Sequence, residues 1–330
     1  MQYRKLGRTD VLVSTVAMGC WAIADPDMWG PQDESDAVEA VETALEAGIT
    51  FFDTAEIYGA GRSEELLGRV LAGRRDQVVI ASKVSPARLA LADLKASCEA
   101  SLRRLRTDYI DLYQIHWPNR DVPIADTMGA LEDLKAEGKV RVIGCSNFGP
   151  RDLRGLLDAG RSEVDQVAYN MLWRGAEEEL AGLCVDSGVS ILPYSPIAQG
   201  LLTGKFASPD DVPPRRARSH HFSSRREHAR HGGQGAEAET FEAIRTVRAI
   251  CEEAGVSMAG ATLAWLLSRP AVTSVLAGAR NADQARTNAA GGDLELPAEV
   301  LDALTSATDS LKARFGGALD MWETEGKRIR

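Results

Sequence analysis

Eight short apolar runs, separated by amphipathic stretches, most constrain how this chain of 330 residues can fold. The runs are rich in Val and Ile and apolar at consecutive positions, which is typical of parallel strands buried on both faces. They cover residues 16–20, 49–53, 78–82, 110–116, 140–146, 164–169, 189–194 and 272–278. The amphipathic stretches predict helices over residues 35–47, 63–71, 91–105, 125–137, 150–158 and 177–186. Eight strands that alternate with helices favour an α/β fold of the (β/α)8 TIM-barrel type over a Rossmann sheet.

The residues left over from such a barrel form three further segments. A barrel of this type takes about 250 residues. Residues 1–15 predict a β-hairpin that covers the bottom of the barrel, and residues 203–237 form a polar insertion after the seventh strand. The tail after Pro297 predicts extra C-terminal structure, with an amphipathic helix at residues 299–312. Because no low-complexity linker divides the chain, we expect residues 1–330 to form a single domain.

Charge and composition exclude several classes of function. The net charge of -10 gives the whole molecule no attraction to nucleic acid or anionic lipid. The five cysteines lack the close spacing of metal sites, so we expect free thiols and a reducing compartment. No apolar run approaches the roughly 20 residues of a membrane span, and the N-terminal stretch does not resemble a signal peptide. We therefore expect a cytoplasmic protein without a metal site. The sequence does not indicate whether it is a monomer or a homo-oligomer.

Four polar side chains lie at or just after the ends of three consecutive predicted strands. Asp53 and Tyr58 follow the second strand, Lys83 the third and His116 the fourth. Because the catalytic groups of TIM barrels lie at the C-terminal ends of the strands, these side chains are expected to meet. A lysine ammonium lowers the pKa of a nearby tyrosine, ordinarily about 10, and Asp53 would keep Lys83 charged. His116 could hydrogen-bond a carbonyl oxygen to which Tyr58 gives a proton.

Each of these residues also has a structural interpretation. Asp53 and Lys83 alone could form an ion pair at the barrel rim, and Tyr58 alone could be a packed aromatic residue. His116 is the only histidine outside residues 213–235, which makes its place at a strand end more informative. Together, at the ends of consecutive strands, the four side chains favour a catalytic group.

At these residues the chain resembles the aldo-keto reductases. The resemblance is carried, in order along almost the whole sequence, by FFDTAEIYG, LRTDYIDLYQIHWP, GKVRVIGCSNF, YSPIAQGLLTGK and GARNADQARTN. It is closest to the bacterial branch near the general stress protein and potassium-channel β-subunit relatives. It implies an oxidoreductase that uses NADPH to reduce small-molecule aldehydes or ketones to alcohols. By this resemblance Asp53, Tyr58, Lys83 and His116 are the catalytic tetrad, with Tyr58 as the general acid.

The sequence has no Rossmann fingerprint for a dinucleotide. The resemblance instead implies that a nicotinamide dinucleotide binds over the mouth of the barrel. Ser146, Asn147 and Gln166 would hydrogen-bond the carboxamide, and the ring of Tyr194 would stack on the nicotinamide. As structural alternatives, the two amides could cap loops and Tyr194 could be a core residue. Arg280 would bind the 2′-phosphate, which favours NADPH over NADH. The other residues implied in cofactor binding are Gly19, Trp21, Asp53, Ser195, Pro196, Ile197, Gln199, Lys205, Arg215, Gly278, Gln284 and Asn288.

Residues 213–235 are a basic block within the insertion, with six arginines, one glutamate and four of the five histidines. The block could be a flexible, solvated loop. It could be a lid over the dinucleotide phosphates, with Arg215 as a contact by resemblance to the channel β-subunits. It could also bind metal or nucleic acid, but it lacks an aromatic platform and a Cys or carboxylate framework. Its position after the seventh strand, on the catalytic rim, favours the lid.

Five tryptophans and one methionine are the candidate walls of a substrate pocket. They are Trp21, Trp29, Trp117, Trp173 and, in the tail, Met321–Trp322. Each tryptophan could instead be a core residue. Two functions of different classes remain open. One is an NADPH-dependent carbonyl reductase, and the other is a regulatory subunit that senses nucleotide and turns over slowly. The complete set of four polar side chains favours the enzyme.

Overall fold

The computed structural model of the chain describes residues 1–324 and 327–329. Its strands are β1 (Tyr3–Lys5), β2 (Leu12–Ser14), β3 (Val16–Gly19), β4 (Phe51–Asp53), β5 (Val79–Val84), β6 (Ile110–Ile115), β7 (Val140–Ser146), β8 (Val164–Ala168), β9 (Ser190–Tyr194) and β10 (Val275–Gly278). Its helices are α1 (Pro26–Trp29), α2 (Glu34–Glu46), α3 (Arg62–Val70), α4 (Leu91–Leu105), α5 (Ile124–Ala136), α6 (Pro150–Ala159), α7 (Leu180–Ser187), α8 (Glu237–Glu253), α9 (Met258–Leu267), α10 (Ala282–Gly291), α11 (Ala298–Ser306) and α12 (Asp309–Phe315). Short 3-10 helices lie at Tyr58–Gly61, Arg75–Gln77, Pro86–Arg88, Gly175–Glu177, Ala198–Thr203 and Pro209–Asp211.

Strands β3 to β10 form a closed barrel in which every neighbouring pair is parallel and β10 returns to β3. This confirms the predicted (β/α)8 TIM barrel. The register places Gly19 beside Asp53 and Lys83 beside Gln114. These residues lie at or near the C-terminal ends of their strands, so one rim of the barrel collects the polar side chains.

The N-terminal hairpin closes the opposite end of the barrel. β1 and β2 pair antiparallel, as the sequence predicts. Leu6, Val11 and Val13 pack with side chains inside the barrel, among them Phe51 and Leu112. Because these apolar side chains continue the packed interior, the barrel is closed at this end and open at the rim that carries Asp53.

The helices pack their apolar faces against the outside of the barrel. In α5 the buried residues Thr127, Met128, Leu131 and Leu134 recur at the spacing of one helical face. Every residue of β5 is buried, as expected for a strand with the barrel interior on one side and helices on the other. None of the helices in the described residues is both long and apolar enough to cross a lipid bilayer.

Two long helices between the insertion and β10 were not predicted. α9 is buried nearly all round, so its sequence MAGATLAWLL carries no amphipathic pattern that would indicate a helix. α8 does carry one, since Phe241, Ile244, Val247 and Cys251 are buried at helical spacing. The predicted tail helix at residues 299–312 is divided into α11 and α12, which confirms the extra C-terminal helices.

The insertion is packed on the rest of the protein. Ala217, Ser219, His221, Phe222 and His231 are all buried. Residues 213–235 are therefore packed at these positions and are not a loop that is solvated throughout.

Candidate active site

A tight turn after β4 places Tyr58 over the end of the barrel. Gly59 and Ala60 have positive φ angles of 58° and 57°. A Cβ atom at Gly59 would lie 2.4 Å from the backbone oxygen of Ala24, so no side chain fits there. Glycine at this position lets the turn approach the loop after β3, and α3 begins directly afterwards at Arg62.

Lys83 connects the other members of the predicted tetrad. It is fully buried, and its Nζ donates to Oδ1 of Asp53 at 2.6 Å, to the backbone oxygen of Thr54 at 2.9 Å and to the hydroxyl of Tyr58 at 3.3 Å. Burial alone would lower the pKa of Lys83, but Asp53 and then Tyr58 raise it above its ordinary value. Lys83 therefore remains an ammonium ion whose three N–H donors are all used.

Burial decides the net pKa of Tyr58. It raises the pKa of the phenol above its ordinary value, and the charge of Lys83 opposes this rise without cancelling it. The charge of Lys83 acts in the expected direction, but the expectation that it brings the pKa of Tyr58 down is wrong, because desolvation is the larger effect. Tyr58 accordingly carries its proton at neutral pH, as a proton donor must.

His116 lies one residue beyond β6, and its ring stands edge-on to that of Tyr58 with the centroids 5.7 Å apart. Burial, followed by the charge of Lys83, holds the pKa of His116 well below its usual range. The imidazole is therefore neutral near pH 7. Its Nδ1 is buried without a hydrogen-bond partner among the described residues, and such an atom in a native site is usually satisfied by a bound molecule or water.

Asp53, Tyr58 and His116 line a cleft of about 890 Å³ at the C-terminal rim of the barrel. The structure brings nearly all of the residues implied in cofactor binding to this cleft. They are Gly19, Trp21, Asp53, Ser146, Asn147, Gln166, Tyr194, Ser195, Pro196, Ile197, Gln199, Lys205, Gly278, Arg280, Gln284 and Asn288. Residues far apart in the sequence thus form one continuous surface beside the tetrad.

The residues expected to bind a carboxamide are also bonded to one another. Nε2 of Gln166 donates to Oδ2 of Asp53 at 2.8 Å, and Oγ of Ser146 donates to the backbone oxygen of Gln166 at 2.8 Å. The hydroxyl of Tyr194 donates to Oδ1 of Asn147 at 2.7 Å. These bonds fix the orientation of both amides, and they link this part of the cleft to the tetrad.

The backbone after β9 adopts a conformation that is rare outside functional sites. Ser195, Ala198 and Gln199 have positive φ angles of 52°, 47° and 55°, which cost energy for residues other than glycine. Nε2 of Gln199 is buried and has no partner among the described residues. Strained backbone and an unsatisfied amide in the wall of a cleft are both typical of a ligand-binding loop.

Lys205, Arg216 and Arg280 form a basic group on the cleft, named here the phosphate end. None of the three has an ion pair with a described residue. Burial and then the charge of Arg280 lower the pKa of Arg216, and both side chains contact Trp29. Arg280 donates to Oε1 of Gln32 and to the backbone oxygen of Trp29, both at 2.8 Å. Uncompensated cations at one end of a cleft fit a ligand that carries phosphate groups.

Arg215, expected to contact the phosphates, does not line the cleft. The backbone amides of Arg216 and Ala217 both donate to the carbonyl of Pro213, and in this turn Arg215 is exposed. Arg216 and Arg218 reach the cleft instead. The arginine-rich segment could be recognised in the sequence. The turn that directs Arg216, and not Arg215, into the cleft could not.

Tryptophan side chains form much of the remaining wall. Trp21, Trp29, Trp117 and Trp322 line the cleft, as expected. Trp173 is instead a core residue, only 1% exposed, whose Nε1 donates to the backbone oxygen of Leu319. Met321 is likewise buried and does not line the cleft, because it packs against Trp173.

Comparison with known proteins agrees with this architecture. The model of the aldo/keto reductase family matches residues 15–309. The chain is 38% identical over 216 residues to the aldo-keto reductase YhdN of Bacillus subtilis, a match that covers 62% of this chain and 65% of that protein. It is 32% identical over 314 residues to the NADH-specific methylglyoxal reductase of Escherichia coli, covering 88% of this chain and 93% of that protein.

A solved structure of similar fold is an aldo-keto reductase from Klebsiella pneumoniae in complex with NADPH. It superimposes with a TM-score of 0.73 at 27% identity and covers 97% of this chain and 100% of its own. Since the family model spans most of the sequence and the barrel matches throughout, the chain belongs to the aldo/keto reductase family.

Proposed function

We propose that this protein is an NADPH-dependent reductase that converts aldehydes or ketones to alcohols, with Tyr58 as the proton donor. The buried chain of hydrogen bonds from Asp53 through Lys83 to Tyr58, in the wall of a large cleft, carries this proposal. A lysine and a carboxylate placed only for stability would not require a tyrosine hydroxyl at the mouth of the cleft.

The contacts of Tyr58 suit proton transfer to a carbonyl oxygen. Lys83 donates to the phenol oxygen, so the phenol hydrogen is free to be donated to substrate. As Tyr58 loses its proton, the Lys83 ammonium stabilises the phenolate, and Asp53 keeps that ammonium charged. Neutral His116 offers a ring nitrogen for a hydrogen bond to the same oxygen. When bound, the nicotinamide cofactor supplies the hydride to the carbonyl carbon.

The phosphate end supports NADPH as the cofactor. A 2′-phosphate adds negative charge to the dinucleotide, and Lys205, Arg216 and Arg280 offer positive charge that no described carboxylate neutralises. The guanidinium of Arg280 already donates to the loop at Trp29–Gln32, which would hold it in place. One relative is named an NADH-specific reductase, and one solved structure of similar fold contains NADPH. The test therefore compares NADPH with NADH.

The test is whether purified protein consumes NADPH when it is offered a panel of aldehydes, followed by the absorbance of the reduced nicotinamide. We expect multiple turnovers, with a higher kcat/KM for NADPH than for NADH. Tight NADPH binding with at most very slow turnover across the panel would instead support a nucleotide-sensing subunit. A preference for NADH would contradict the role given to the phosphate end.

A further inference from the structure

Arg218 is a partly buried cation in the cleft, and no acidic residue in the described part of the chain pairs with it. It lines the cleft together with Tyr58 and His116. Among the described residues, its buried Nε has no hydrogen-bond partner and no carboxylate lies within 4.0 Å of its guanidinium. Burial, and then the charges of Arg230 and Arg328, lower the pKa of Arg218. A partly buried cation without an anionic partner is costly, because its charge is removed from water without compensation. An anion that binds beside Arg218 best explains this side chain.

Arg218 is separate from the phosphate end. Its Cζ lies 5.5 Å from the centroid of the Trp322 ring, which stacks on Tyr194 at 5.7 Å. Arg328, whose charge acts on Arg218, lies over the ring of Trp117, the residue after His116. Arg218 thus lies against Trp322, on the side of the cleft that holds Tyr194, whereas Arg216 lies against Trp29, which Arg280 also contacts.

The other charged groups around Arg218 already have partners. Arg328 donates to both carboxylate oxygens of Asp320 at 2.7 Å. Arg230 lies 3.9 Å from Glu323. Asp25 accepts hydrogen bonds from Nε1 of Trp21 at 2.8 Å and from the backbone amide of Met28. Among the described residues in this part of the cleft, Arg218 is the cation left to bind a ligand.

We propose that Arg218 forms an anion subsite and that the preferred substrates are aldehydes or ketones carrying a carboxylate or phosphate group. This inference rests on the carbonyl reduction proposed above. A guanidinium binds either anion through two parallel hydrogen bonds. Trp322 and Trp117 would contact the apolar spacer between the anion and the carbonyl. The subsite orients the substrate, and the reaction at the carbonyl remains that of Tyr58.

The test compares matched substrate pairs that differ in the anionic group: 4-oxobutanoate with butanal, and glycolaldehyde phosphate with glycolaldehyde. The wild type is expected to favour the charged member of at least one pair by about tenfold in kcat/KM. Arg218→Gln should remove that preference, change kcat/KM for the neutral members by less than about twofold, and leave NADPH affinity unchanged. Arg218→Lys, which keeps the charge but loses the planar fork, should retain part of the preference.

Arg225→Gln is the matched control, since Arg225 is exposed on the same insertion and the change in net charge is equal. This variant should keep the wild-type preference. Absence of a preference in the wild type would overturn the subsite. So would an equal loss for charged and neutral members with weaker NADPH binding, which would assign Arg218 to the cofactor.

If no member of either pair is reduced, the kinetic comparison is replaced by binding, and binding alone decides the subsite. Calorimetric titration of the NADPH-loaded protein with succinate then gives the answer. Binding that Arg218→Gln weakens by about tenfold supports the subsite, while absent binding or binding insensitive to Arg218→Gln overturns it.

Discussion

At the scale of single residues, the environment of each tetrad member determines its protonation state. Lys83 stays charged in a buried position because Asp53 lies 2.6 Å from its Nζ. Tyr58 stays protonated because burial raises the pKa of its phenol more than Lys83 lowers it. His116 stays neutral because burial and the Lys83 charge both disfavour the imidazolium. One buried cation thus acts on two neutral groups, Tyr58 and His116, whose rings lie side by side.

The pH dependence of reduction tests these protonation states. A depressed His116 pKa leaves the imidazole neutral throughout pH 6 to 8, and a raised Tyr58 pKa leaves the phenol protonated there. We expect kcat/KM for aldehyde reduction, measured at saturating NADPH, to show no inflection across that range. An inflection near pH 6.5 that is absent in His116→Gln would show that His116 titrates normally, contrary to this account.

At the scale of elements, the strand ends and the turns after them position the site. Gly68 in α3 lies against the C-terminal end of α4, since a Cβ there would be 2.4 Å from the backbone oxygen of Arg104. Buried Glu64 on the same helix accepts from Nε of Arg104 at 2.6 Å and from the hydroxyl of Ser82 at 2.5 Å. Because α3 begins where the Tyr58 turn ends, these contacts anchor the turn.

A pair of glycine substitutions tests the close approach of α3 and α4. Gly68→Ala should lower the free energy of unfolding by about 1–3 kcal/mol, because a backbone carbonyl cannot move aside cheaply. Gly129→Ala in α5 is the matched control, since the added Cβ would meet no described residue beyond its own stretch of helix, and it should raise the free energy of unfolding by about 0.5–1 kcal/mol. Chemical unfolding of both variants gives the comparison. Equal effects at the two positions would mean that α3 and α4 are not packed this closely.

The barrel, and the meeting of Asp53, Tyr58, Lys83 and His116 at one rim, could be predicted from the sequence because both follow local rules. Buried parallel strands are apolar throughout, and strand ends such as Asp53 meet at one rim. The conformations of the tail and the insertion could not be predicted, because they depend on packing between distant parts of the chain. Trp173 was a candidate wall and is a core residue, because the tail covers it. Arg216 rather than Arg215 reaches the cleft because of one turn at Pro213.

At the scale of the whole molecule, charge is unevenly distributed. The chain carries a net charge of -10, yet the described residues that line the cleft include six basic side chains and three acidic ones. The field of the cleft therefore opposes that of the rest of the surface and attracts anionic ligands. Core packing runs from Val16 to Ile329 in one cluster of buried residues, and we infer that the described chain folds as one domain.

The salt dependence of NADPH binding tests this charge distribution. We expect affinity to fall as ionic strength rises, despite the net negative charge of the protein. Arg216→Ala should weaken binding by about tenfold at low salt and reduce the salt dependence. Arg215→Ala, which removes the same charge from an exposed position outside the cleft, should change affinity by less than about twofold. The reverse order of the two variants would contradict the phosphate end as placed here.

The proton donor is the central claim, and the kinetics of Tyr58→Phe test it most directly. Phenylalanine keeps the ring that packs against Trp21 and His116 and removes only the hydroxyl that Lys83 contacts. The measurement is kcat for aldehyde reduction together with the Kd for NADPH in wild type and variant. The account predicts that kcat falls by roughly 10²–10⁴-fold while the Kd stays within about twofold. A Tyr58→Phe protein that retains full kcat would contradict it.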